Sequence, residues 1–216
     1  MIVLFDLDGT LTDSGLAIKN SFEHTCDVLG IGRPTTTELQ AYIGPPLEVT
    51  FLTMLGDHDL AHMAVSIYRE RYTVHGMAET FLYDGIVEAV DALVTAGHQL
   101  AVATSKDEVA ARMVLDHFSL TDRFEVLSGA ARDGSRHHKA DVIANALRLL
   151  GHEPHAAPAS VMIGDRDHDV LGARQFGIDT IGVRWGFGSA DEFDAAGARW
   201  QLDHPGQLAE LIASLG

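Results

Sequence analysis

The sequence predicts an α/β fold: a doubly wound parallel-sheet (Rossmann-like) core with a small inserted all-helical cap domain. Short runs that are almost wholly apolar or β-branched alternate with segments of helical periodicity, as in a parallel sheet that is buried on both faces. Between the first run and the others, residues 15–80 show helical periodicity and no convincing strand. We therefore assign residues 1–14 and 81–216 to the α/β core and residues 15–80 to the cap.

Five predicted strands make up the sheet. They span residues 2–5, 99–104, 125–127, 160–163 and 179–183. Amphipathic helices are predicted between them, for example the one that carries Val90 and Leu93 and ends near Gly97. Because parallel neighbours require crossover connections, we expect right-handed β-α-β units.

The predicted cap consists of helices separated by the segments RPTTT and GPP. One helix places Ile18 and Phe22 on a shared apolar face, and a later one does the same with Leu60, Met63 and Ile67. We expect both faces to be buried.

Composition excludes several classes of protein. The 216 residues include 15 Lys and Arg against 31 Asp and Glu, a formal net charge of −16 that disfavours nucleic acid and anionic membranes as partners. Hydrophobic residues make up 46% of the chain, enough for a substantial core. One cysteine, Cys26, allows no internal disulfide, and no export signal is evident, so we expect a cytoplasmic protein.

Two carboxylates follow the first predicted strand. In the segment FDLDGTLTDSG, Asp6 and Asp8 stand one residue apart at the end of an apolar run, where they repel each other in a partly dry setting. A Mg²⁺ ion, which prefers oxygen ligands, would offset this repulsion. The alternative is that these aspartates only form a turn or cap a helix.

Further polar residues follow the other strands. They are Thr104 and Ser105 after the second strand, Lys139 on the helix after the third, and Asp165 after the fourth. The carboxyl ends of parallel strands meet at one edge of a sheet, so we expect these side chains to converge there with Asp6. Acids, a hydroxyl and a lysine together suit a metal ion and a phosphate group.

These segments resemble the four motifs of the haloacid dehalogenase-like hydrolases, in the same order and over essentially the whole chain. They are DLDGTLTDS, the strand that ends at Thr104, Lys139 on a helix, and GDRDHD. The position of the helical insert, between the first and second motifs, is similar to the C1-capped branch of that family. This branch includes phosphoglycolate phosphatases, β-phosphoglucomutase and phosphonatase.

The resemblance implies a role for each acid. Asp6 would be the nucleophile that forms an aspartyl-phosphate, and Asp8 the general acid/base. Mg²⁺ would be bound by Asp6, Asp165 and the backbone carbonyl of Asp8, while Asp169 would hold a metal-bound water.

The resemblance also implies a set of substrate contacts. Thr104 would donate a hydrogen bond to a phosphate oxygen, with help from the backbone N–H groups of Ser105 and Lys106. Lys139 would pair with both the nucleophile and the phosphate, and Gly9 would permit the tight turn after the strand.

The segment YIGPPLEV in the predicted cap contains Gly44 before two prolines. A stiff loop of this kind is suited to projecting over a substrate, so Gly44 is a candidate substrate-binding residue. The alternative is that Gly-Pro-Pro merely ends one helix and begins the next.

The function that the resemblance implies is a Mg²⁺-dependent phosphatase for small phosphomonoesters, similar to phosphoglycolate phosphatases. A nucleoside 5′-monophosphatase and a sugar-phosphate mutase of the same superfamily remain open. The partner expected is a small phosphate ester, and no oligomeric partner is implied.

Other classes fit the sequence less well. A phospho-accepting receiver domain is shorter, has no cap and lacks the GDxxxD segment. A dehalogenase would need neither the second acid, Asp8, nor Mg²⁺. A phosphonatase requires a cap lysine, and the single candidate, Lys19, matches that motif poorly.

Overall fold

The computed structural model describes residues 1–215 and divides into two compact units. One unit comprises Met1–Thr12 and the chain from Leu82 onward, and the other comprises Asp13–Phe81. Two short strands, β2 (Thr12–Asp13) and β3 (Phe81–Leu82), pair where the chain passes between the units.

The first unit is built on a six-stranded sheet. Its strands are β1 (Ile2–Phe5), β4 (Gln99–Asp107), β5 (Val126–Ala130), β6 (Ser160–Gly164), β7 (Asp179–Val183) and β8 (Trp200–Leu202). Every neighbouring pair is parallel, in the order β5-β4-β1-β6-β7-β8. The predicted fold class, a doubly wound parallel α/β sheet with a helical insert, is confirmed.

The order of the strands locates a crevice. After β1 the chain builds outward through β4 and β5 and then returns to the other side of β1 with β6. Ligands of such sheets bind at this reversal, outside the carboxyl ends of the two strands that flank it. In this protein those strands are β1 and β6, which end just before Asp6 and Asp165.

Helices follow the strands of this unit. They are α5 (Ile86–Thr95), α6 (Glu108–His117), α7 (Lys139–Leu149), α8 (Asp167–Arg174), α9 (Ala190–Ala196) and α10 (Leu208–Leu215). The central strand is wholly buried, and its Ile2 and Leu4 belong to a cluster that includes Val142, Ile143 and Leu147 of α7. This packing fixes α7, and with it Lys139, against the middle of the sheet.

The strands of the sheet differ from the prediction in several places. β5 spans Val126–Ala130 rather than residues 125–127, and β6 extends one residue further, to Gly164. β4 continues beyond Thr104 to Asp107, with a shift of register between Ala103 and Asp107 where it pairs with β5. β8 was missed because its three residues, Trp200–Leu202, are too few to show a period.

The second unit contains the helices α1 (Gly15–Leu29), α2 (Thr36–Tyr42), α3 (Leu47–Leu55) and α4 (His58–His75). Its core holds Phe22, Phe51 and Tyr68, whose ring centroids lie 5.0–6.1 Å apart. The predicted face of α1 is buried at Ile18 and Phe22.

The predicted face of α4 is wrong. Leu60 and Met63 are exposed, because the buried side of this helix consists of other residues: Ala61, Ala64, Val65, Tyr68 and Tyr72. None of the helices in residues 1–215 is both long and apolar enough for a membrane crossing.

Candidate active site

Three buried carboxylates meet at the carboxyl edge of the sheet. They belong to Asp6 after β1, Asp165 after β6 and Asp169 in the first turn of α8. One oxygen from each lies within 4.8 Å of the others. Asp165 and Asp169 have no exposed surface, and Asp6 is 8% exposed.

Glycines make this close approach possible. Gly9 has φ +83°, and a Cβ at this position would lie 2.1 Å from Oδ2 of Asp165. A Cβ at Gly164 would similarly lie 2.1 Å from Cγ of Asp169. Any larger residue at either position would displace a carboxylate.

Lys139 places a positive charge among the carboxylates. Its Nζ lies 2.7 Å from Asp169 Oδ1 and 3.0 Å from Asp6 Oδ1, and it donates a hydrogen bond of 3.1 Å to the carbonyl of Ala103. Burial alone would lower the pKa of Lys139, but Asp169 and Asp6 raise it above its ordinary value. The lysine is therefore held as an ammonium ion.

The carboxylates are only partly compensated by this charge. Burial raises the pKa of Asp6 to about 6, against the opposing effect of Lys139, and Asp169 adds to the increase. Burial, together with Asp169 and Asp6, raises the pKa of Asp165 well above its usual range. A buried cluster of this kind has an excess of negative charge that a bound cation would relieve.

The donor set fits Mg²⁺. All three side chains offer carboxylate oxygens, the ligands that this hard cation prefers, and the cluster includes no softer sulfur or imidazole donor. Asp165 is oriented for this by two hydrogen bonds, from Phe187 N to Oδ2 at 2.9 Å and from Thr10 Oγ1 to Oδ1 at 3.4 Å.

Asp169 also takes part in capping α8. Its Oδ2 accepts a hydrogen bond of 3.0 Å from the backbone N–H of Arg166, at the start of α8. Capping and membership of the cluster therefore coexist, because the two oxygens face different partners.

Asp8 and Lys106 form a second acid–lysine pair beside the cluster. Lys106 Nζ lies 2.9 and 3.1 Å from the two carboxylate oxygens of Asp8. Thr104 is 1% exposed, and its Oγ1 accepts a hydrogen bond from the backbone N–H of Lys106 at 3.2 Å. The N-cap of α6 is Asp107, so neither Thr104 nor the half-buried Ser105 caps this helix.

Gly44 belongs to the other unit. It lies between α2 and α3 with φ +115°, a conformation that glycine adopts readily, and Pro46 forms the N-cap of α3. The Gly-Pro-Pro segment therefore does join two helices, and a contact of Gly44 with substrate stays a prediction.

Comparison with known proteins identifies the family. The family model described as haloacid dehalogenase-like hydrolase matches residues 3–183. The chain belongs to this family. The expected resemblance is thus confirmed, and the acids and Lys139 described above lie in the segments that carried it.

Several known proteins are similar to this chain over most of its length. A 5′-nucleotidase of Pseudomonas aeruginosa is 46% identical over 194 residues, 89% of this chain and 86% of that protein. The tyrosine-protein kinase PtkA of Mycobacterium tuberculosis is 44% identical over 215 residues, 100% of this chain and 72% of that protein. A predicted phosphatase from Clostridium acetobutylicum has a crystal structure that matches with a TM-score of 0.90 and 36% identity, over 99% of this chain and 98% of that one.

Sequence reasoning missed the loop after β7. Besides Phe187, it contains Trp185, whose Nε1 donates a hydrogen bond of 3.0 Å to the carbonyl of Thr10. Gly186 and Gly188 lie so close to Asp165 that a Cβ on either would collide with it. The signal was present: a Gly-x-Gly segment directly after a predicted parallel strand belongs at the same sheet edge as the acids.

Proposed function

We propose that this protein is a Mg²⁺-dependent phosphatase that hydrolyses small phosphomonoesters through an aspartyl-phosphate on Asp6. The observation that carries the proposal is the position of the Asp6 carboxylate. It lies at the reversal of strand order, 3.0 Å from the ammonium of Lys139, with Asp165 and Asp169 grouped around it. Membership of the haloacid dehalogenase-like hydrolases supports it.

In the first half-reaction a carboxylate oxygen of Asp6 attacks the phosphorus atom. The bond from phosphorus to the ester oxygen breaks, and the proton of the Asp8 carboxyl group passes to the departing oxygen. Lys139 stabilises the charge on the transferring group, because its ammonium already lies beside the attacking carboxylate.

In the second half-reaction water attacks the phosphorus atom of the aspartyl-phosphate. Asp8, now a carboxylate, takes a proton from that water, and the bond between phosphorus and the Asp6 oxygen breaks. Inorganic phosphate and the free Asp6 carboxylate result. Thr104 and the backbone N–H groups of Ser105 and Lys106 are proposed to bind the phosphate oxygens, and Gly9 to allow the close turn.

We assign the Mg²⁺ site to Asp6, Asp165 and the backbone carbonyl of Asp8, with Asp169 holding a coordinated water. The ion would supply a positive charge that offsets the carboxylates and the phosphate, so that two anions can approach each other. Within the protein, Thr10 and Phe187 N–H orient Asp165 for this purpose.

Nucleoside 5′-monophosphates are the substrate class to test first. The support for them is the 46% identity with the 5′-nucleotidase of P. aeruginosa. Phosphoglycolate and sugar phosphates remain in the test because the four motifs of this chain also resemble those of phosphoglycolate phosphatases and of β-phosphoglucomutase. A phosphoryl transfer to protein tyrosine is the third arm, since PtkA carries that name.

The decisive experiment compares Asp6→Asn with Asp122→Asn, the same chemical change at an exposed position. With Mg²⁺ and a panel of phosphate esters, we expect Asp6→Asn to abolish phosphate release, because an amide cannot form the acyl phosphate. Asp122→Asn should match the wild type. Near-normal turnover by Asp6→Asn would exclude the covalent mechanism. If the wild type transferred labelled phosphate from ATP to tyrosine and hydrolysed none of the esters, the phosphatase proposal would be wrong.

A further inference from the structure

Each acid of the DxD segment has its own lysine. Lys139 contacts Asp6 and Asp169, whereas Lys106 contacts Asp8 through both carboxylate oxygens. The side chains of Lys106 and Asp8 are 9% and 17% exposed, so water competes little for this pair. An ammonium that bridges both oxygens restricts the rotation of the carboxylate plane.

The backbone of Lys106 is fixed on both sides. Its N–H donates to Thr104 Oγ1, and its neighbour Asp107 both caps α6 through Ala110 N and pairs with Arg132. On β5, a Cβ on Gly129 would lie 2.8 Å from the Lys106 carbonyl oxygen, so the two strands are in close contact there. The direction in which Lys106 extends is therefore set by the register shift in β4 rather than by the side chain alone.

We propose that Lys106 is a positioning residue, whose side chain holds the Asp8 carboxyl group toward the departing ester oxygen rather than binding the phosphate itself. The inference rests on the proposed function and gives the Lys106 side chain a role beside the one suggested for its backbone N–H. Proton transfer requires the acid within hydrogen-bond reach of the departing oxygen, so a carboxyl group that rotates freely would be productive only part of the time.

The dependence of the rate on the leaving group distinguishes a lysine that positions Asp8 from one that binds the phosphate. Nitrophenolate departs without a proton, whereas the alkyl alcohol of a nucleoside 5′-monophosphate needs one. A positioning residue for the acid therefore lowers kcat/KM, which reports the steps through release of the alcohol, for the alkyl ester alone. The second half-reaction, in which Asp8 acts as the base, is common to both esters and enters kcat only. A ligand of the phosphate lowers kcat/KM equally for both esters, because both carry the same group.

The experiment uses the full chain with Mg²⁺ and the variants Lys106→Met and Lys106→Arg. Lys19→Met, the same change at an exposed lysine, is the control. For Lys106→Met we expect kcat/KM for the nucleotide to fall about 10- to 100-fold, while kcat/KM for nitrophenyl phosphate changes by less than about threefold. Lys106→Arg should recover part of the loss, since it keeps the charge and the donors.

A double-mutant cycle on thermal unfolding tests the pair independently of turnover. We expect Lys106→Met and Asp8→Asn together to lower the melting temperature by less than the sum of the single changes. Equal losses of kcat/KM on both esters, or additive changes in melting temperature in an active enzyme, would overturn the positioning role alone. If the wild type hydrolyses neither ester, the proposed function fails and the positioning role with it.

Discussion

The Asp6 carboxylate lies in a setting that favours its protonated form in the metal-free protein. Its pKa is raised to about 6 because burial outweighs the attraction of Lys139. The folded state then binds more protons than the unfolded state between pH 3.8 and about 6. This contribution lowers stability as the pH rises through that window, and it is constant above it.

We therefore predict that Asp6→Asn weakens the pH dependence of stability in the presence of chelator. Relative to the wild type, the variant should gain on the order of 2 kcal/mol between pH 4 and pH 7.5, about 4–8 °C in melting temperature. Thermal unfolding of both proteins across this pH range measures the difference. Parallel curves would show that Asp6 ionises in the folded protein as it does in the unfolded chain.

Single residues at the strand ends could be predicted from the sequence, but the pairing of Lys106 could not. Asp6, Asp165 and Lys139 follow from a rule about parallel sheets, which requires only that each strand be located. The direction of Lys106 depends on the register shift between Ala103 and Asp107, and strand periodicity carries no information about such a shift.

At the scale of elements, predictions succeeded where burial and hydrophobicity coincide. The strands β1 and β7 have the predicted bounds because most of their residues are buried and apolar or β-branched. The prediction failed for α4, where mainly alanine and tyrosine fill the buried face while Leu60 and Met63 lie exposed. Tight packing between helices favours small side chains, which a search for large apolar residues passes over.

The contact between α7 and α8 positions Lys139. Gly172 of α8 lies against Lys139 at the start of α7, and a Cβ on it would lie 2.7 Å from Lys139 Cγ and 3.1 Å from Ala140 N. Alanine is the better helix former by about 1 kcal/mol, so Gly172→Ala would stabilise an isolated helix. In the folded protein, however, the added Cβ must displace Lys139 or the start of α7.

We predict that Gly172→Ala lowers stability by about 1–3 kcal/mol and reduces kcat, because Lys139 loses its position beside Asp6. Gly32→Ala is the matched control, since a Cβ there meets nothing within 4 Å. Chemical denaturation and phosphate release measure the two effects. A more stable Gly172→Ala with unchanged kcat would show that α7 and α8 adjust without cost.

At the scale of the whole molecule, the net charge of −16 and the buried carboxylates act in the same direction on cations. The general field attracts any cation and is screened by salt, with a Debye length of about 10 Å at 0.1 M. The cluster of Asp6, Asp165 and Asp169 instead selects by geometry and donor type. The rise in melting temperature that is specific to Mg²⁺ must therefore be measured at constant ionic strength, so that the effect of cations in general is subtracted.

Asp165→Asn makes this separation. The amide retains the shape of the carboxylate and can accept from Phe187 N and donate to Thr10 Oγ1, so both positions remain hydrogen-bonded. It changes the net charge by one unit in sixteen, which leaves the general field almost intact. It removes, however, a buried ionisable group whose pKa is raised by burial and by its neighbours Asp169 and Asp6.

We predict that the order of stability of these two proteins reverses with Mg²⁺. In chelator at pH 7.5, Asp165→Asn should be the more stable, because the raised pKa of Asp165 lowers the stability of the wild type at this pH. With Mg²⁺ at about 100 times its Kd, the wild type should gain about 2.7 kcal/mol, roughly 5–11 °C, and overtake the variant. Melting curves in Mg²⁺ and in Na⁺ at matched ionic strength provide the measurement. An equal gain in both proteins would place the ion elsewhere on the acidic surface, and full phosphatase activity in excess chelator would exclude the metal from the reaction.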